Sequence, residues 1–104
     1  MVEQMDDHAR ALAPYRAEID AIDEQIIDLL ARRHDVIRAV AALKADTGIP
    51  MMQPARIEAQ KERCARLAAE AGVDPDLVER LFTVIIDEGC EFEQTLIDES
   101  RVAR

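Results

Sequence analysis

The stretch that decides the fold, residues 15–44, reads YRAEIDAIDEQIIDLLARRHDVIRAVAALK. It contains neither glycine nor proline, and its apolar residues return every three or four positions, as they do on one face of an α-helix. A helix from Tyr15 to Asp46 would be near 45 Å long, at about 1.5 Å per residue. The pattern therefore predicts one helix that is unusually long for so small a chain.

Proline and glycine divide the rest of the chain into two further helices. The breaks are marked by Gly48, Pro50, Pro54, Gly72 and Pro75. Asp74 is the expected N-cap of the third helix, and Pro14 is expected in the first turn of the long one, where a missing N–H costs least. Because no segment alternates like a strand, the predicted fold is all-α, with one long, one short and one medium helix.

Length and composition favour a single domain over residues 1–104, with a structured core from about 12 to 98 and short flexible tails. Apolar residues make up 49% of the chain and only three residues are aromatic, as in an aliphatic helix bundle. The net charge of −9 argues against a nucleic-acid surface. No apolar run is long enough to span a membrane or to serve as a secretory leader.

The two cysteines, Cys64 and Cys90, form no metal-binding spacing with the two histidines. They are interpreted as buried thiols of a protein that works in the reducing cytoplasm. Neither a metal nor a cofactor is expected.

The length of the predicted helix indicates that the chain pairs with another chain. A compact monomer of about 100 residues has a radius of gyration near 13 Å, so two shorter helices cannot cover a stripe of about 45 Å. A second copy of the chain is the simplest cover. We therefore expect an intertwined helical homodimer.

Charged residues lie on the expected apolar faces. Arg33 and Lys44 are eleven positions apart, which leaves them only about 20° apart around the helix, within the apolar stripe. On the third helix, Glu93 shares a face with apolar and small residues, namely Phe82, Ile86, Gly89, Cys90, Leu96 and Ile97. Arg16 precedes Arg33 by about 25 Å of helix, so in an antiparallel dimer it would reach the Arg33 end of the other chain.

Two interpretations of these charges remain open. Long cationic side chains can extend from an apolar stripe to water, and Arg33 could form an ordinary interhelical ion pair with Glu93. Alternatively, the cations bind an anion. Since no nucleophile–base pair or glycine-rich phosphate loop is visible, such a site would suit a small dianionic substrate that rearranges within a closed pocket.

From about Leu12 to about Ile97 the chain resembles the all-α (type II) chorismate mutase family. The similarity is carried by residues 15–44, by PARIEAQKERCARLA at 54–68 and by VDPDLVERLFTVIIDEGCEFEQ at 73–94. The spacing from Arg16 through Arg33 and Lys44 to Arg56 agrees with the family pattern. The resemblance implies a dimer of intertwined three-helix chains.

The resemblance also implies a set of site residues. Arg33, Arg56 and, from the partner subunit, Arg16 would hold the two substrate carboxylates. Lys44 would contact the ether oxygen and a carboxylate, with Glu93 as the second group at that oxygen. The remaining positions that match substrate-binding or pocket residues are Gln53, Ile57, Ile86, Gly89 and Cys90.

The implied reaction is the Claisen rearrangement of chorismate to prephenate, a step of the shikimate pathway towards aromatic amino acids. Ile57 departs from the family pattern, because a glutamate that binds the substrate 4-hydroxyl is common at that position. Isochorismate pyruvate-lyases and 4-amino-4-deoxychorismate mutases share the fold and stay open as alternatives. A non-enzymatic helical dimerisation module is the third alternative.

Overall fold

The computed structural model describes residues 2–103, and their side chains from Asp7 onward. Three helices follow one another: α1 (Val2–Thr47), α2 (Pro54–Ala71) and α3 (Pro75–Ala103). Residues 2–103 contain no strand. The prediction of an all-α fold with one long, one short and one medium helix is confirmed.

The breaks between the three helices lie where glycine and proline predicted them. Gly48 follows α1 with φ of +75°, a left-handed conformation that favours glycine, and its N–H donates to the Lys44 carbonyl at 2.9 Å. Gly72 closes α2 in the same way, also with φ of +75°. At the start of α3, the Asp76 N–H donates to Asp74 Oδ1 at 3.0 Å, which confirms Asp74 as the cap.

The start of α1 differs from the prediction. Pro14 lies inside the helix, which begins at Val2 rather than near this proline. A proline in a helix interior removes the N–H that the carbonyl four residues earlier would accept. Arg10 and Pro14 are both exposed, so water can bond to the Arg10 carbonyl.

The chain divides into two compact units, Met1–His34 and Asp35–Arg104. The N-terminal unit is a single stretch of α1, and nearly all of its described residues are exposed. No helix within residues 2–103 has the length and apolar character needed to cross a bilayer. The interpretation of residues 1–104 as one domain stays a prediction.

The C-terminal unit holds the described core. Helix α2 packs against α3 there, and the most buried apolar residues are Ala41, Cys64, Ala68, Ile86 and Ile97. Cys64 is buried as predicted, but Cys90 is only half-buried, which corrects the expectation of two buried thiols. The periodicity of α3 could not predict this difference, because it gives the face of a residue but not how closely the neighbouring helix covers it.

Candidate active site

A buried ion pair joins α1 to α3 within the C-terminal unit. Lys44 Nζ, in the last turn of α1, lies 2.8 Å from Glu93 Oε2 on α3. The two side chains are only 12% and 11% exposed. Charges so far removed from water interact more strongly than at a surface, and each is costly to leave without its partner.

Lys44 also donates to the loop that follows its own helix. Its Nζ lies 2.8 Å from the Met51 carbonyl oxygen. An ammonium group has three N–H donors, and the described residues provide acceptors for two of them. The third donor is therefore available to an incoming anion, in a place where the ammonium is already oriented.

The wall beside Glu93 comes from the same face of α3. Ile86, Gly89 and Glu93 follow one another at helical spacing and all three are buried, with half-buried Cys90 next to Gly89. This places the carboxyl among apolar and small residues, as the periodicity predicted. The contact of Ile86, Gly89 and Cys90 with a substrate stays a prediction.

The start of α2 carries three further predicted residues. Arg56 is exposed and Ile57 is half-buried, and the N–H groups of both donate to the Gln53 carbonyl, at 3.0 and 3.2 Å. The Gln53 side chain is exposed, and its Nε2 donates to the Pro50 carbonyl at 2.9 Å. Because the side chain of Ile57 is aliphatic, that side chain cannot donate or accept a hydrogen bond with a substrate.

The remaining two predicted residues belong to the N-terminal unit. Arg16 is exposed and Arg33 is half-buried. Their proposed contacts with a substrate stay predictions. The acceptor role of the Met51 carbonyl was not predicted, because a backbone carbonyl occurs at every residue and leaves no signal in the residue type.

The arrangement suits electrostatic chemistry. It offers a buried cation with a spare donor, beside a carboxyl group that can donate a hydrogen bond when protonated. Among the residues that the structure describes, no cluster of three His, Cys, Asp or Glu side chains is placed to hold a metal ion.

A family model described as chorismate mutase type II matches residues 15–94, which include Lys44, Arg56 and Glu93. The chain belongs to the type II chorismate mutase family. The predicted membership in this family of isomerases is thereby confirmed.

The relatives in this family differ in the reactions that their names describe. The chain is 42% identical to a 4-amino-4-deoxychorismate mutase of Streptomyces venezuelae, over 79% of this chain and 80% of that protein. It is 30% identical to a chorismate mutase of Methanocaldococcus jannaschii, over 86% of this chain and 91% of that protein. An isochorismate pyruvate lyase of Pseudomonas aeruginosa is 42% identical, over 72% of this chain and 73% of that protein.

Proposed function

We propose that the chain catalyses the rearrangement of chorismate to prephenate, in the cytoplasm, where Cys64 and Cys90 stay as thiols. The observation that carries the proposal is the buried Lys44–Glu93 pair, in a chain of the type II chorismate mutase family. The reaction breaks the bond between the ring and the ether oxygen, and it forms a new C–C bond between the enolpyruvyl group and the ring. Since this exchange is intramolecular, no atom, proton or electron leaves, and no cofactor is required.

In this proposal the arginines bind the substrate, and Lys44 accelerates its rearrangement. Arg33, Arg56 and Arg16 of the partner subunit hold the two carboxylates, because a guanidinium binds a carboxylate through two parallel hydrogen bonds. Holding both carboxylates keeps the enolpyruvyl group over the ring, which is the reactive conformer. As the C–O bond breaks, the third N–H of Lys44 donates to the ether oxygen and stabilises its developing charge.

Glu93 is the second donor to the ether oxygen, and this role requires a proton. In the ligand-free chain one oxygen of its carboxyl group accepts a hydrogen bond from Lys44 Nζ at 2.8 Å. A carboxylate at the ether oxygen would repel the developing charge, whereas a carboxylic acid can donate to it. The substrate complex is therefore expected to hold Glu93 in its protonated form.

The dependence of activity on pH tests this role. The Glu93→Gln variant keeps a hydrogen-bond donor at any pH, so its activity should persist at higher pH. Chorismate consumption measured across pH for both proteins checks this.

The control is Glu91→Gln, which changes an exposed glutamate on the same helix and should retain the wild-type pH profile. If the folded Glu93→Gln variant is inactive at every pH, Glu93 is not the donor to the ether oxygen.

We also propose a homodimer with two composite sites. Apolar side chains on one face of the N-terminal unit are half or more exposed, with Tyr15 at 64% and Ile26 at 50%. The others on this face are Ile19, Ile22 and Leu29. A continuous apolar stripe of this kind marks an interface, and a second copy of α1 has the matching length and pattern.

A second candidate is the corresponding rearrangement of 4-amino-4-deoxychorismate. Two observations favour it: the 42% identity to a mutase named for that substrate, and the aliphatic Ile57 where the resemblance places a partner for the 4-hydroxyl. The two substrates differ only at that ring position. Both would use Lys44, Glu93 and the arginines in the same way.

One experiment separates these functions. The purified chain is given chorismate, 4-amino-4-deoxychorismate and isochorismate in turn, and the loss of substrate absorbance is followed together with pyruvate release. Turnover of chorismate with the highest kcat/KM, without pyruvate, supports the main proposal. A preference for the amino substrate supports the second candidate. Release of pyruvate from isochorismate would identify a lyase and overturn both.

A further inference from the structure

The loop between α1 and α2, residues 48–53, holds the ammonium group of Lys44 in place. Of the two acceptors described for that ammonium, one is Glu93 and the other is the Met51 carbonyl, each at 2.8 Å. A lysine side chain has four rotatable bonds, so a single acceptor leaves its third N–H poorly directed. The direction of the donor therefore depends on where the loop holds the Met51 carbonyl.

The position of that carbonyl depends in turn on Gln53. The Gln53 amide donates to the Pro50 carbonyl at 2.9 Å, so that the bond closes over Met51 and Met52. This bond fixes the peptide plane between Pro50 and Met51. Only the φ and ψ rotations of Met51 separate that plane from the Met51 carbonyl. Gln53 makes no side-chain capping bond to its own helix, so its amide serves the loop and not α2.

We propose that Gln53 is a positioning residue for Lys44: it holds the loop through Pro50, so that the Met51 carbonyl orients the ammonium. The resemblance to the family places Gln53 at the substrate, whereas the hydrogen bonds described here connect it to Lys44 through the backbone. Only the expected effect of Gln53 on the reaction rate rests on the proposed function. The orientation of Lys44 in the ligand-free chain can be measured without any substrate.

The chain offers a simple spectroscopic test, because it contains just two lysines, Lys44 and Lys61. Their side-chain ammonium signals can be followed by NMR in the ligand-free protein, with Lys61 as an internal reference. Gln53→Ala should speed the hydrogen exchange of the Lys44 ammonium by about two- to tenfold, the change expected when one hydrogen bond is lost. The exchange at Lys61 should not change.

Kinetics with the substrate that the chain turns over provide the second measurement. Gln53→Ala should lower kcat by about two- to tenfold with little change in KM, because Lys44 acts in the transition state and not in ground-state binding. Gln53→Glu keeps the shape of the side chain but, when ionised, cannot donate to the Pro50 carbonyl. It should therefore also lower kcat with little change in KM.

A matched control is Gln94→Ala. Gln94 makes a hydrogen bond of similar length and exposure, to Asp98 Oδ1 at 2.8 Å, away from the loop. This variant should leave kcat and the Lys44 exchange rate unchanged. Thermal unfolding of all three variants, measured beside the wild-type chain, confirms that they are folded.

Two results would overturn the proposal. An unchanged Lys44 exchange rate in Gln53→Ala would show that Gln53 does not orient the ammonium. A rise in KM with kcat unchanged would show that Gln53 binds the substrate directly. If the chain turns over none of the three substrates, the proposed function fails, but the exchange measurement still decides whether Gln53 positions Lys44.

Discussion

Replacing Lys44 by alanine should lower kcat by about 10²–10³, the loss that follows removal of one preorganised donor to a developing oxyanion. KM should change much less, because the arginines bind the substrate carboxylates in the ground state and in the transition state alike. The structural basis is the buried position of the ammonium, held by Glu93 and by the Met51 carbonyl. Steady-state kinetics with chorismate measures both constants.

Two further variants make this result interpretable. Lys61→Ala removes the other lysine of the chain and should keep the wild-type kcat. Because Lys44→Ala leaves the Glu93 carboxylate buried without its partner, it should also lower the unfolding temperature. The double variant Lys44→Ala/Glu93→Gln removes that unpaired charge and should regain stability while it remains slow. A near-normal kcat in folded Lys44→Ala would show that Lys44 does not act at the ether oxygen.

Arg16→Ala and Arg33→Ala should each abolish measurable activity, and a mixture of the two inactive proteins should recover part of it. The two residues are 17 positions apart on α1, which corresponds to about 25 Å along a helix, too far for one small ligand to touch both within one chain. In a dimer of one variant with the other, one site carries both substitutions and the second carries neither.

The activity expected of the mixture is a definite fraction of the wild-type activity. If subunits exchange at random, half of the dimers are mixed and each has one intact site of two, so activity should approach about a quarter of wild type. Native mass spectrometry of the mixture measures the exchange itself. Arg10→Ala is the matched control, since Arg10 pairs with Asp7 at the surface, at 3.8 Å, and its side chain is 78% exposed. Full exchange without recovery would mean that each site is built within one chain.

Helix boundaries were the most predictable part of the fold. Gly48 and Gly72 end their helices in the left-handed conformation, and Asp74 caps the third helix as expected. These are local signals, because each depends on the backbone preference or side-chain reach of a single residue. Pro14 was the exception, since the helix continues through it although a proline in a helix interior costs a backbone hydrogen bond.

The positions of Lys44 and Glu93 on apolar helix faces were predictable, but their pairing was not. Lys44 and Glu93 were both recognisable as charges at apolar positions of a helical pattern, and the structure confirms that Glu93 is buried. Arg33 was an equally reasonable partner for Glu93 from the sequence, because it shares its helix face with Lys44. The structure brings Lys44 Nζ to 2.8 Å from Glu93 Oε2.

The sequence by itself determined three helices, the breaks between them, an apolar stripe along α1, and the charges placed on apolar faces. All of these follow from periodicity and from the conformational preferences of proline and glycine, which act over a few residues. Only the tertiary structure decided that Lys44 meets Glu93, 49 positions away, and that the Met51 carbonyl, held through Pro50 and Gln53, orients the same ammonium. Those contacts depend on how α3 packs and how the loop turns, and backbone carbonyls leave no trace in residue type.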